Sequence, residues 1–201
     1  MKKPVVLIVL DGWGIAPVGP GNALSLANLS FFPKLWVSYP HADMTASGEG
    51  VGLPKGEDGN TETGHLNMGA GRIVYQDLPR INMAIADGSF YKTPAFLGAL
   101  EHARKYNSGL HIMGLIGAGG VHSNIEHLYA LLQLIHQTGL TRVYLHLFTD
   151  GRDSPPTAAQ TYLGQLNQEI IKLGIGTIAA GTGRYYAMDR DHRWDRTKHA
   201  Y

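Results

Sequence analysis

Hydrophobic and polar positions change rhythm along this 201-residue chain, and the changes mark its organisation. Val5 to Leu10 is an unbroken, largely β-branched apolar run, too short for a buried helix. It predicts a strand covered on both faces, as in parallel sheets. A polar, glycine-punctuated stretch follows. Asn22 is placed to cap a short helix over residues 23–28, and Pro33 opens a second one reaching Val37. Beyond Gln76 the texture becomes regular. Thr93-Pro94 starts a helix running to about Lys105, and Leu110 to Ile116 reads as a strand. Ser123-Asn-Ile-Glu126 has capping-box spacing for a helix from Ile125 to Gln137. Leu128, Leu131, Leu132 and Ile135 form its buried stripe. Val143 to Phe148 is a strand, a helix after Pro155-Pro156 ends at Gly174, and Gly176 to Ala180 is a last short strand. This β-α-β-α-β alternation predicts an α/β fold, a parallel sheet with helices on its faces. The change of texture predicts a domain boundary near residue 76, separating 1–76 from 77–201.

Composition narrows the chemistry. With 44% hydrophobic and 16% charged residues the chain is able to bury a core. A net charge of +1 argues against a general nucleic-acid binder or a polybasic membrane anchor. The absence of cysteine excludes disulfides, thiolate nucleophiles and Cys-ligated zinc. Lys2-Lys3 and the following apolar run imitate a signal peptide, but the run is short and Asp11 ends it. No other run approaches membrane-spanning length, so a cytoplasmic protein is expected.

Candidate chemistry gathers in loops. Asp11-Gly12 directly follows the first apolar run, where open α/β sheets bind ligands, so Asp11 is a metal or substrate ligand or the start of a turn. Asp58-Gly-Asn-Thr-Glu-Thr-Gly-His65 reads as a glycine-flanked loop carrying the Thr61 hydroxyl. That hydroxyl becomes a nucleophile only beside a base or a metal; otherwise the segment is a polar turn bonded to its own backbone. Three further loops follow the three later strands and bring His122, Arg152, Asp153 and Arg184 to one sheet edge, with Arg190 six residues on. Guanidinium groups grip phosphate and carboxylate in two-pronged geometry, which suits a small molecule bearing both. Asp153 beside them would stay ionised and could shuttle a hydroxyl proton. The alternatives are a surface His122, a local Arg152-Asp153 ion pair, and a solvated mixed-charge face over residues 184–196. Neither Gly117-Ala-Gly119 nor Gly181-Thr-Gly183 completes a dinucleotide fingerprint.

Four stretches go further. They are Val9-Leu-Asp-Gly-Trp-Gly14, Gly59-Asn-Thr-Glu-Thr-Gly-His-Leu-Asn-Met-Gly-Ala-Gly-Arg72, Asp150-Gly-Arg-Asp-Ser-Pro-Pro156, and Gly183-Arg-Tyr-Tyr-Ala-Met-Asp-Arg-Asp-His-Arg-Trp-Asp-Arg196. Along essentially its whole length the chain resembles the cofactor-independent (2,3-bisphosphoglycerate-independent) phosphoglycerate mutases of the alkaline-phosphatase superfamily. The resemblance implies parts of two domains, a metal-binding phosphatase domain led by residues 1–76 and an inserted phosphoglycerate-binding transferase domain begun by 77–201. It implies interconversion of 3-phosphoglycerate and 2-phosphoglycerate, in glycolysis and gluconeogenesis, through a phosphoenzyme. Two divalent metals, usually Mn2+, serve the family. Carried over, Asp11 and Thr61 become metal ligands, Thr61 the nucleophile, and His122, Arg152, Asp153, Arg184 and Arg190 the substrate-binding set, with Asp153 the proton shuttle. A monomer is expected for the full-length protein.

Three departures accompany the likeness. Threonine stands where the family has serine, Gly117-Ala118 stand where it tends to have Ser-Asp, and the family chain is more than twice as long. Turnover by the 201-residue chain alone is therefore not expected. A metal-dependent phosphatase, another phosphomutase, or a non-catalytic anion-binding module are the competing readings.

Overall fold

The structure, a computed structural model, describes residues 3–201; Lys2, part of the basic pair noted above, lies outside them. The chain divides into two compact units, the first ending at Val74 and the second spanning Tyr75–Tyr201.

In the first unit, Val5 to Leu10 belongs to no strand, and its side chains face solvent. The expected two-faced burial is not seen. A strand exists only through ladder partners, and no other strand of this unit is among the described residues. A turn follows, in which the Trp13 amide donates to the Leu10 carbonyl at 3.0 Å and Gly12 takes a φ of 77°, a left-handed value suited to glycine. Helix α1 (Ala23–Leu26) starts where Asn22 Oδ1 accepts from the amides of Leu24 and Ser25. Helix α2 (Phe32–Ser38) has Pro33 in its first turn. Trp13, Phe32, Trp36 and His41 form a run of ring contacts at 4.5, 5.9 and 3.9 Å between successive centroids. Helix α3 (Thr61–Ala70) replaces the expected loop: Asn60 Oδ1 accepts from the Thr63 amide at 2.9 Å and so starts the helix at Thr61.

The second unit holds the sheet. Parallel strands β1 (Leu110–Ile116), β2 (Val143–Thr149) and β3 (Thr177–Gly183) lie in the order β1-β2-β3. The fold is α/β, a parallel three-stranded sheet flanked by helices. Helices α4 (Asp77–Asp87), α5 (Pro94–Lys105), α6 (Ile125–Gln137), α7 (Ala159–Leu173), α8 (Arg184–Ala187) and α9 (Trp194–Ala200) complete it. Sequence pattern did not reveal α4, which carries Pro79 in its first turn, or α9, whose charges mask its periodicity.

The core lies on one face of the sheet. Val143, Leu145 and Leu147 of β2 alternate inward and meet Leu132 and Ile135 of α6, Leu166 of α7 and Leu100 of α5. Leu132, Ile135, Leu145 and Leu166 are wholly buried, each worth about 2–3 kcal/mol in apolar transfer. Leu128 and Leu131 are only partly buried against this cluster. The α6 cap is Asn124, accepting from the Glu126 amide, rather than Ser123, whose hydroxyl donates to the Leu115 carbonyl. Strand β3 runs on to Gly183, past the expected Ala180. Gly181, Thr182 and Gly183, read as part of a third loop, are the strand's own end, because their backbone continues the ladder with β2, and Arg184 opens α8. Its pairing is irregular: Leu145 faces Ile178 but His146 faces Ala180, so Ala179 is an extra residue, a bulge. Beyond it the register is Leu147 to Gly181, Phe148 to Thr182 and Thr149 to Gly183.

Candidate functional site

Two clusters carry chemistry, one in each unit. In the first, the Thr61 hydroxyl donates to Asp11 Oδ2 at 2.9 Å across 50 residues of sequence. Asp11 thus lies in the turn and also accepts from Thr61, a contact outside the alternatives read from the sequence. Thr61 is the first residue of α3, where the amides of Thr61 and Glu62 have no carbonyl four residues back to bind. Those free amides and the helix dipole favour an anion beside the hydroxyl. Gly59 serves packing rather than ligand approach: a Cβ there would collide with the Ala46 carbonyl oxygen. Asp11 and Thr61 are both hard oxygen donors of the kind divalent cations take. One carboxylate and one hydroxyl are nonetheless too few for two ions, and the described residues contain no group of three or more His, Cys, Asp or Glu placed to hold a metal. The donor set here does not by itself fit a two-metal centre.

In the second unit the carboxyl ends of the three strands converge. Arg184, one residue past β3, directs Nη1 at two carboxylates, Asp150 Oδ1 at 2.8 Å and Asp153 Oδ2 at 2.6 Å. Both acids lie just past β2. Asp150 Oδ1 also accepts from the amides of Arg152 at 3.0 Å and Asp153 at 3.1 Å. Its side chain is 3% exposed. Burial alone would raise this carboxyl, but the Arg152 amide, the Arg184 guanidinium and the Asp153 amide outweigh it and hold the pKa at about 2. The two carboxylates in turn raise Arg184, with the Asp153 bond the larger cause. His122 Nε2 stands 3.9 Å from Asp153 Oδ2, with half of its side chain in solvent. Gly119 lets the loop after β1 sit against this group: a Cβ there would fall 2.9 Å from the Asp153 carbonyl oxygen and 3.1 Å from its Cβ.

The topology therefore brings His122, Asp153 and Arg184 together. Arg152 contributes its amide, while its side chain is exposed and bonds to nothing among the described residues. Arg190 is likewise exposed and unpaired there. It follows Asp189, which is not part of a solvated face. The Asp189 side chain is 2% exposed, accepts from the Arg193 amide at 2.8 Å and lies 3.6 Å from Arg196 Nη1. The Arg196 guanidinium in turn sits 4.0 Å from the Tyr185 ring centre. Asp150 is the residue that sequence reasoning passed over. Its signal was an aspartate at a strand end with amides two and three residues on, the pattern of an Asx turn.

Fold and clusters together define an α/β protein with a candidate anion-binding group beyond the carboxyl ends of its parallel strands, and a hydroxyl-carboxylate pair at a helix start. The family described as "BPG-independent PGAM N-terminus" matches residues 81–201, more than half of the chain. The chain belongs to this family. It is 55% identical over 201 residues to the 2,3-bisphosphoglycerate-independent phosphoglycerate mutase of Moorella thermoacetica, covering all of this chain and 39% of the relative. It is 56% identical over 199 residues to that of Chloroflexus aggregans, covering 99% of this chain and 37% of the relative. A crystal structure of Leishmania mexicana phosphoglycerate mutase at low cobalt concentration superposes with a TM-score of 0.67 at 31% identity, over 94% of this chain and 36% of that one. The chain thus spans about two fifths of the length of the curated relatives it matches. No helix among the described residues is long and apolar enough to cross a membrane.

Proposed function

We propose that this chain is part of a cytoplasmic, cofactor-independent phosphoglycerate mutase of glycolysis and gluconeogenesis, a monomer of the relatives' length. Residues 1–76 lead its phosphatase domain and 77–201 begin its transferase domain. The observation that carries this reading is the 2.9 Å hydrogen bond from Thr61 to Asp11. It joins the hydroxyl and carboxylate of two motifs far apart in sequence, as a nucleophile and its activating partner must be joined.

Thr61 accepts the phosphoryl group. Its proton points to Asp11, so the remaining oxygen lone pairs are turned away from that carboxylate, and the α3 amides favour the incoming anion. Threonine in place of serine keeps the nucleophilic oxygen and adds a methyl, so serine is tolerated at this position. His122, Arg152, Arg184 and Arg190 hold the glycerate's carboxylate and phosphate, and Asp153 moves the proton of the glycerate hydroxyl. Two divalent ions, Mn2+ by preference, would supply charge neutralisation and activation of the hydroxyl. Asp11 and Thr61 would provide only part of their shell, so the 201 residues alone are not expected to complete the reaction.

The test is phosphorus NMR of the full-length protein with 3-phosphoglycerate and Mn2+, without 2,3-bisphosphoglycerate. Appearance of 2-phosphoglycerate is expected, with loss after chelation and after Thr61→Ala, retention in Thr61→Ser, and no turnover by the 201-residue chain. Full activity in Thr61→Ala, or inorganic phosphate as the sole product, would refute it; the latter would indicate a phosphatase.

A further inference from the structure

Among the described residues, Arg184 bonds through one of its nitrogens. Both of its hydrogen bonds among the described residues come from Nη1, one to Asp150 and one to Asp153. An Nη carries two hydrogens, and these two bonds account for them. The Nε and Nη2 edge keeps three donors with no partner among the described residues. That edge is the planar fork that fits a carboxylate or phosphate with two parallel bonds. What fixes its direction is the pair of carboxylates behind it.

The two carboxylates are not equivalent. Asp153 is the more exposed and faces His122. Asp150 is almost wholly enclosed, and its Oδ1 gathers three donors: two backbone amides and the Arg184 guanidinium. One oxygen atom therefore sets the turn that carries Arg152 and Asp153 and, at the same time, the approach of Arg184 from the neighbouring strand. Its carboxyl pKa of about 2 keeps it charged near neutral pH.

We infer that Asp150 is a positioning residue of the phosphoglycerate site, whose Oδ1 fixes the Arg152-Asp153 turn and aims the free edge of Arg184 at the substrate anion. Asp150 does not touch the substrate. The inference rests on the functional reading above, which makes Arg184 and Asp153 substrate residues. What matters is the acceptor atom at its place, so asparagine, which keeps that atom, preserves the aim and alanine does not.

Three measurements on purified full-length protein decide it. Titration with 3-phosphoglycerate is expected to show binding weakened about tenfold or more in Asp150→Ala, as for loss of a charge-assisted hydrogen bond, and within about threefold of wild type in Asp150→Asn. Should Asp150→Ala not fold, Asp150→Ser replaces it: the short hydroxyl still caps the turn but does not reach Arg184, and the same loss is expected. In steady-state assays the change falls on KM more than on kcat. The third measurement needs no ligand. The Arg184 guanidinium protons are expected to exchange slowly in wild type and Asp150→Asn, and rapidly in Asp150→Ala or Asp150→Ser. Unchanged binding and unchanged Arg184 exchange in the variants lacking the acceptor overturn the inference, as does a tenfold loss in folded Asp150→Asn. If wild type itself fails to bind 3-phosphoglycerate, the functional reading falls, and Asp150's hold on Arg184 is judged on the exchange data alone.

Discussion

The low pKa of Asp150 links the stability of the second unit to pH, and the effect can be worked through. The carboxyl drops from 3.8 to about 2 on folding. Each unit of difference is worth about 1.36 kcal/mol, so the charged form stabilises the native state by roughly 2 kcal/mol. For a depressed carboxyl that stability is fully present above the unfolded value and is lost as pH falls through the folded one. The window is therefore about pH 4 down to about pH 2. Asp150→Asn has no charge to lose. Urea denaturation of both proteins, read from the amide signals of the buried Leu145 and Leu147, should show wild type more stable by roughly 2 kcal/mol at about pH 6. The gap should close steadily below about pH 4. A gap that stays constant through that range would refute the assignment of the stabilisation to the ionised carboxyl, and a gap that widens would reverse its sign.

Two further outcomes follow from packing. Leu145→Ala removes a wholly buried side chain at the centre of the core and should cost about 2–5 kcal/mol, measured by the same denaturation. Gly119→Ala places a methyl 2.9 Å from the Asp153 carbonyl oxygen, a backbone atom that cannot swing aside. It should lower stability by about 1–3 kcal/mol and weaken 3-phosphoglycerate binding, seen together in a thermal melt and a titration.

Much of the second unit was legible because its signals are local and regular. Leu110–Ile116 and Val143–Thr149 alternate or cluster apolar residues at strand length, and Leu132 and Ile135 sit at helical spacing. Once three parallel strands are inferred, the meeting of His122, Asp153 and Arg184 follows from topology. What escaped was decided by competition among neighbours. Asn124 takes the α6 cap, its Oδ1 accepting from the Glu126 amide, while the Ser123 hydroxyl is turned to donate to the Leu115 carbonyl. Thr61 reads as a loop residue until the Asn60 side chain is seen closing the first turn of α3. Val5 to Leu10 has the composition of a central strand, but composition supplies no ladder partner. Asp150 drew no reading of its own; its hold on Arg184 depends on the register of a different strand.

That register has a consequence for how the chain tolerates change in length. Ala179, the unpaired residue of β3, lies between the last regular pair at Leu145 and the arginine that closes the cluster. Each strand residue advances the chain by about 3.3 Å. Removing Ala179 would mend the ladder and leave every side chain of the cluster in the sequence. Because Leu145 already faces Ile178 and His146 already faces Ala180, every pair up to Thr149 and Gly183 would be kept, and Arg184 would stay beside the end of β2. The bulge is one residue of slack between scaffold and chemistry: the strand can lose Ala179 without moving the cluster, whereas a residue lost from the paired run after it would draw Arg184 back unless that slack were taken up.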